Sequence, residues 1–389
     1  MRIIIAGRNL QPPWTIAPRV LAKNISEALS FSLGKQEIAE INLATTLRKR
    51  YIFGLEDEFT RFLSLFSNKV LMESRNSYSE AVDVAICIKR LLNLDTDNII
   101  VHLIGSDLYN ICLSSKILSR TRTLYTTFMP NPESISSMPL TEKFAKYLFY
   151  NFGPNGIHAT SPKTAKAVEP FLINKKKLFQ VYPPIDTNFF RVHTRCQQSK
   201  RQNTVLFLGS LEYARFPFDK VLYAIKILHT EYKRNIDLLI IVRNWPSNYL
   251  MKKQIESLAQ KIGVNKNIRV ILLDLNQNQK LAIYSKVSVL LQPFTRFVAA
   301  DPPLSMLEAM SCEIPPVTTA TQSMPYIIRN EVNGIIIKNL EPKSLAHSIA
   351  IAIEKRREFG IEARRTVEKN MSYSIIGNAL LAIYEDLIG

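Results

Sequence analysis

Strands and helices alternate along almost the whole chain, which predicts an α/β protein built from two Rossmann-like domains. Three observations carry this. Apolar runs at residues 2–6, 98–105, 204–208 and 237–242 have the length of buried parallel strands, and stretches with helical apolar spacing follow them. The alternation stops at a polar stretch without apolar periodicity, residues 191–203, and restarts after it. A length of 389 residues also suits two domains of ordinary size. The expected organisation is a first domain over 1–190, a linker over 191–203, a second domain over 204–370 and a terminal helical segment over 371–389.

In the first domain a strand at 2–6 leads through a proline-bearing loop, residues 7–18, into a helix at 19–33. Arg8, Trp14 and Arg19 flank that loop. They fit either of two roles: meeting a ligand phosphate, or packing (Trp14) with both arginines solvated. Further units follow: a strand at 38–43, a helix at 57–67, a strand at 69–73, a helix at 80–92, and strands at 98–105 and 122–127. His102 lies inside its strand and reads as a core histidine. Residues 157–184 read as a strand, a helix capped by Ser161, a basic turn and another strand. The turn carries Lys175, Lys176 and Lys177, which suit either a solvated surface or an anionic membrane.

The second domain opens with the strand at 204–208, a turn at Gly209, Ser210 and Leu211, and a helix at 218–230. Arg215 lies in the connection, where a planar guanidinium can grip two phosphate oxygens at once, or simply be solvated. The strand at 237–242 ends in a loop containing Asn244, and a helix at 247–262 follows. A strand at 268–273 ends at Asp274 and Leu275, ahead of a helix at 278–285.

Residues 287–319, VSVLLQPFTRFVAADPPLSMLEAMSCEIPPVTT, are the most explicit stretch: a buried strand, a loop, a helix start and a second strand. Asp301 is expected as the N-cap, with Pro302 at the first helical position. Two prolines remove two amide hydrogens, so the first free donors belong to Leu304 and Ser305. With the positive end of the helix dipole they make a site for an anion such as a diphosphate. Asp301, Ser305 and Glu308 are expected on one face, Glu308 offering its carboxylate to ribose hydroxyls. The plainer alternative is an amphipathic helix packed on a sheet, with Asp301 only capping it.

Composition narrows the function. No run approaches the ~20 apolar residues of a bilayer-spanning helix, and MRIIIAGRN is too short a hydrophobic start for a signal peptide. A cytoplasmic protein is expected, at the inner face of a membrane if it binds one. Cys87, Cys112, Cys196 and Cys312 are scattered without a CxxC pair, and the five histidines form no metal cluster, which reads as reduced thiols and no bound metal. Fifty Lys and Arg against 33 Asp and Glu give a net charge of +17, suited to nucleic acid, an anionic lipid surface or phosphorylated small molecules. The basic residues are dispersed and no DNA- or RNA-binding signature is present, which argues against nucleic acid.

One resemblance sharpens these readings. Glu308-Ala309-Met310-Ser311-Cys312-Glu313-Ile314-Pro315-Pro316-Val317 resembles the Glu-Ala-Met-Ala-Cys-Gly-x-Pro-Val-Val donor-site motif of the family 4 retaining glycosyltransferases, which have the GT-B fold. Pro183 to Phe190 and Glu331 to Ile337 resemble two further family segments, the latter a hairpin. Departures accompany the matches. The family's first motif glutamate falls on Ala300, with Asp301 one residue late. Met129 stands where family members carry a histidine. Ser210 and Arg215 occupy arginine and lysine positions, and residues 318–325 replace a glycine-rich turn. Arg19 matches the arginine of a Gly-Gly-x-Glu-Arg segment whose other residues are here Thr15, Ile16 and Pro18.

The resemblance implies two Rossmann-like domains facing across a cleft, with the last helix crossing back to the first domain. It further implies a retaining transferase using a nucleotide-diphosphate sugar, with Arg215 and Glu308 central to catalysis. Gly209, Ser210, Asn244, Asp274, Asp301, Leu304 and Ser305 would hold the donor, and Arg8, Trp14, Arg19 and Met129 would lie on the acceptor side. No cofactor or metal is implied; the acceptor would be a glycan or a polyprenyl- or lipid-phosphate. Two alternatives stay open: a catalytically impaired nucleotide-sugar-binding subunit, and a sugar-nucleotide isomerase, for which the chain offers few cleft carboxylates and histidines.

Overall fold

The computed structural model describes residues 1–7, 10, 17–33, 40–47, 56–73, 80–92, 99–104, 121–128, 138–191, 203–209, 211–212, 216–296 and 300–389. They form two compact units, Met1–Pro184 with Met371–Gly389, and Ile185–Asn370.

In the first unit the described strands are β1 (Arg2–Gly7), β2 (Glu40–Leu47), β3 (Lys69–Glu73), β4 (Ile99–Ile104), β5 (Arg122–Thr127), β6 (Gly156–Ala159) and β7 (Leu178–Gln180). They pair in parallel in the order β3-β2-β1-β4-β5-β6-β7. Strands covered on both faces carry continuous apolar runs, and Ile3, Ile4, Ile5 and Ala6 of β1 are all buried. The helices are α1 (Ala17–Leu33), α2 (Glu56–Leu63), α3 (Glu80–Leu92), α4 (Leu140–Phe152) and α5 (Pro162–Val168). Ser161 caps α5 as expected, its side chain accepting from the Thr164 amide at 3.0 Å with Pro162 next in line. The helix α4 has no counterpart among the sequence expectations.

The second unit repeats the design with β8 (Thr204–Gly209), β9 (Asp237–Val242), β10 (Ile268–Leu272), β11 (Val289–Gln292), β12 (Pro316–Thr319) and β13 (Ile335–Ile337), in the parallel order β10-β9-β8-β11-β12-β13. Its helices are α6 (Phe218–Thr230), α7 (Pro246–Ile262), α8 (Gln277–Tyr284), α9 (Leu304–Ser311), α10 (Met324–Ile327), α11 (Pro342–Glu354) and α12 (Arg356–Met371). Val205, Phe207, Phe216, Leu291, Val317 and Ile349 belong to one core between sheet and helices. At the end of α7, Gly263 adopts a left-handed φ of 81°, and its amide reaches the Ala259 and Gln260 carbonyls.

Two expectations change. Residues 331–337 close a tight turn, bridged between Asn330 and Gly334 with the Glu331 amide donating to the Gly334 carbonyl at 2.9 Å, but not a two-stranded hairpin: Ile335 pairs in parallel with Val317, making β13 an edge strand reached by a crossover through α10. The buried Ile335 and Ile337 side chains join the core from that edge. Residues Ile185 to Phe190, placed in the first domain on sequence, belong to the second unit. Arg364 of α12 donates to the carbonyls of Thr187 (3.0 Å), Phe190 (3.1 Å) and Ser311, and the Ser311 hydroxyl donates to the Phe190 carbonyl at 2.8 Å. Helix α12 itself was not anticipated.

The last helix, α13 (Tyr373–Ile388), belongs to the first unit and packs on α1. A Cβ added at Gly377 would lie 2.3 Å from Ser32 Oγ and 2.4 Å from the Ala28 carbonyl oxygen, so glycine permits the close approach. Tyr384 then completes a buried polar chain. The Val181 carbonyl can only accept, so His158 Nε2 donates to it at 2.8 Å. Burial holds the His158 imidazole neutral, with its pKa pushed down to about 4, so Nδ1 accepts from the Thr126 hydroxyl at 2.9 Å. Thr126 Oγ1 in turn accepts from His102 Nε2, and His102 Nδ1 accepts from the Tyr384 hydroxyl at 2.6 Å. Burial, then the neighbouring His158, holds the His102 pKa well below its usual value. One proton arrangement satisfies every member, and His102 is a core histidine, as its position inside a strand predicts.

Candidate functional site

In the second sheet the strand order reverses between β8 and β11, and ligands of open parallel sheets bind beyond the C-terminal ends of strands at such a switch. Gly209 closes β8 at an exposed position. Buried Leu211 and Phe216 anchor the two sides of the following turn, Phe216 stacking on Phe207 with ring centroids 4.2 Å apart. Ser210 and Arg215 of this turn lie outside the described residues, as do Arg8, Trp14 and Met129. Arg19 is a buried guanidinium on α1 rather than a solvated one.

At the β11 end, Gln292 is buried and its Nε2 donates to Ser305 Oγ at 3.1 Å. Its Oε1 is buried with no partner among the described residues. A buried carbonyl oxygen left unpaired costs about 1–3 kcal/mol, and such a group beside a helix start is the kind a ligand donor satisfies.

The helix start differs from the sequence expectation. Pro303, not Asp301, is the N-cap, and α9 begins at Leu304 without a side-chain cap. Asp301 is buried, and its Oδ1 accepts from the Ser323 amide at 3.1 Å and from the Ser323 hydroxyl. Those two donors, in the turn after β12, outcompete the local cap and fasten the loop before α9 to that turn. Asp301 therefore does not share a helix face with Ser305 and Glu308. The expected donors do sit at the helix start. The Pro303 carbonyl takes the amides of Met306 (3.0 Å) and Leu307 (3.3 Å), and no hydrogen bond among the described residues uses those of Leu304 and Ser305.

Glu308 is 1% exposed rather than open to solvent. Lys280 Nζ lies 2.9 Å from its Oε1 and 3.0 Å from its Oε2, with a side chain 13% exposed. The Tyr284 hydroxyl lies 3.1 Å from Glu308 Oε2 and 3.2 Å from the Ser305 carbonyl. Burial first, and then the Glu308 carboxylate beside it, push the Tyr284 pKa well up, so the phenol stays protonated and donates. Lys280 and Tyr284 are four residues apart on α8. An Asn276–Gln279 capping box fixes that helix, each side chain accepting from the other residue's amide. Glu308 is thus a preorganised carboxylate, held by a cation and a phenol that sequence reasoning did not single out.

Asn244 and Asp274 are exposed at the ends of β9 and β10. Asn244 Oδ1 accepts from the Tyr249 hydroxyl at 2.7 Å, and the Arg243 guanidinium sits 4.9 Å above the Trp245 ring. Among the described residues no group of three His, Cys, Asp or Glu side chains is placed to hold a metal ion, and no helix is long and apolar enough to cross a membrane.

Residues 192–371 match the family model described as glycosyl transferases group 1. No curated protein matches the sequence. Among solved structures, HepE from Anabaena in complex with UDP and glucose is similar at a TM-score of 0.72 and 12% identity, over 99% of this chain and 100% of that one. Sucrose-phosphate synthase from Thermosynechococcus elongatus is similar at 0.73 and 13% identity, over 100% and 99%. The lipopolysaccharide outer core galactosyltransferase WaaB, in its apo form, is similar at 0.63 and 15% identity, over 99% and 100%. Residues 192–371, nearly all of the second unit, are thus similar to the glycosyl transferases group 1 model, and the α/β fold of the chain is similar to that of these solved structures, the GT-B fold.

Proposed function

We propose that this protein is a glycosyltransferase, retaining and metal-independent, that moves a sugar from a nucleotide-diphosphate donor to a glycan or lipid-linked acceptor at an anionic membrane face. The observation that carries the reading is the start of α9. The amides of Leu304 and Ser305, unused among the described residues, lie at the positive end of a helix dipole, at the switch point of the family-matched unit. Breaking a sugar–diphosphate bond builds negative charge on the leaving group, and preorganised donors stabilise such charge most where water is excluded. Arg215 would supply the second cation and replace a metal ion. Glu308, 1% exposed and held by Lys280 and Tyr284, would take the ribose hydroxyls once donor binding uncovers it. The UDP complex of the Anabaena neighbour supports a nucleotide as a ligand of this fold.

Asp301 and Ala300 favour a second reading, an impaired nucleotide-sugar-binding subunit. Asp301 is committed to Ser323, and Ala300 offers no carboxylate to a transferred sugar. A thermal-shift panel of UDP-, GDP- and ADP-sugars tests the donor site. At least one is expected to raise the melting temperature of the intact protein, and Arg215→Ala and Glu308→Gln are expected to abolish that rise. No rise with any nucleotide overturns the proposal. Transfer by the intact protein in EDTA, with the donor's anomeric configuration kept in the product, separates the retaining enzyme from the impaired subunit.

A further inference from the structure

Helix α4 (Leu140–Phe152) faces the wrong way for a helix stabilised by its own core. Phe149 and Tyr150 point inward and are buried. Leu140, Phe144, Tyr147, Leu148 and Phe152 recur at helical spacing on the opposite side, and they are 82%, 60%, 37%, 41% and 72% exposed. The stripe continues onto the next segment. Asn151 Oδ1 accepts from the Ile173 amide at 2.8 Å, and its Nδ2 donates to the Phe171 carbonyl at 2.7 Å. This fixes Ile173, itself 67% exposed, beside the end of α4. Large apolar side chains grouped on one solvent-facing stripe mark an interaction surface, unlike the scattered exposed apolar residues of any protein surface.

Charge selects the occupant. Residues 140–177 carry seven lysines and two glutamates. The two glutamates pair with two of these lysines, Glu142 with Lys146 at 3.2 Å and Glu169 with Lys175 at 2.6 Å, which leaves the segment with a net excess of five positive charges. Lys143 is half-buried at one edge of the stripe, whereas Lys146 lies on the packed side of the helix, its ammonium 3.2 Å from Glu142. Lys177 donates to the Asn151 carbonyl at 3.3 Å and brings the basic turn to the same end. An exposed aromatic stripe edged by lysines is the pattern of a helix lying in the headgroup layer of a lipid bilayer.

We propose that α4, with Ile173, Lys175 and Lys177, is the element that docks this protein on an anionic membrane surface. The aromatic rings enter the acyl boundary and the lysines meet phosphate headgroups. The proposal deepens the membrane-face part of the function above, and it stands independently of the sugar chemistry.

Flotation of the full chain with phosphatidylglycerol–phosphatidylcholine vesicles tests it. Binding is expected to the mixed vesicles, to weaken as salt is raised, and to be far weaker on pure phosphatidylcholine. Phe144→Ser and Phe152→Ser, made singly, should each weaken binding roughly tenfold or more, since one buried Phe side chain is lost from the membrane in each case. Lys175→Gln with Lys177→Gln should reduce only the anionic dependence. Melting temperature and nucleotide-induced thermal shift should stay unchanged in all of these variants, which separates a docking defect from misfolding or donor-site loss. The proposal is overturned if the folded, nucleotide-binding protein fails to float with mixed vesicles. It is equally overturned if Phe144→Ser dissociates a dimer in sedimentation while leaving flotation unchanged, because the stripe would then be a contact between copies.

Discussion

The chain from Tyr384 through His102, Thr126 and His158 to the Val181 carbonyl predicts an acid-sensitive first unit. Its proton arrangement needs both imidazoles neutral. A free histidine titrates near 6.5, whereas burial pushes His158 down to about 4. Above the higher value neither folded nor unfolded chain binds the proton, and the full stability is present. As pH falls towards 4, the unfolded chain takes up a proton that the folded one excludes, so stability is lost. His158 alone then removes about 2 kcal/mol between pH 7 and pH 5, and about 3 kcal/mol by pH 4. His102 is shifted in the same direction and adds to the loss. Urea titrations followed by hydrogen exchange in peptides of β4, β5, β6 and α13 measure this unit separately from the other. Protection in those peptides should fall between pH 7 and pH 5 by at least the amount calculated for His158. Tyr384→Phe should cost about 1–3 kcal/mol at pH 7, because it strands His102 Nδ1 without a donor. The reasoning is refuted if protection does not change between the two pH values, or if a His102→Gln, His158→Gln double variant shows the same pH dependence as the natural chain.

Three further outcomes follow from the packing. Lys280→Met should destabilise the second unit by about 3 kcal/mol, because it leaves the buried Glu308 carboxylate with Tyr284 alone; adding Glu308→Leu should restore much of that, and a double-mutant cycle by chemical unfolding reads the coupling. Asp301→Ala should cost about 1–3 kcal/mol by leaving two buried Ser323 donors unpaired, and calorimetry should detect a lower melting temperature. Gly377→Ala gains helix propensity but drives a methyl group into Ser32 and the Ala28 carbonyl; a net loss of about 1–3 kcal/mol is expected, seen as a lower melting temperature together with faster exchange in α1 and α13.

Much of the architecture was legible because buried parallel strands and their following helices leave local patterns. The strands at 69–73, 122–127 and 237–242 and the helices at 80–92 and 218–230 match the observed bounds. Helix α4 escaped because apolar residues on both its exposed and its buried side run together in 147–150 and blur the helical period, and α12 escaped because its sequence is dominated by charge. In the candidate site, the amides of Leu304 and Ser305 were readable from two adjacent prolines, a purely local cause. The partners of Asp301 and Glu308 were not. Ser323 lies 22 residues from Asp301 and Lys280 lies 28 from Glu308, and neither pairing leaves a mark at short range. A capping residue is inferred from its neighbours, so the local rule assigned Asp301 to the helix it precedes. Two donors from a distant turn then decided its place.

The first unit has a built-in order of assembly. Its chain runs to Pro184, passes through the whole of Ile185–Asn370, and returns for its last nineteen residues. During translation the ribosome therefore delivers everything the inserted unit needs before it releases Tyr384 to close the histidine chain. The inserted unit is free to fold on the nascent chain, while its host waits for residues 371–389. A premature stop in the last helix would injure the half of the protein that was made first.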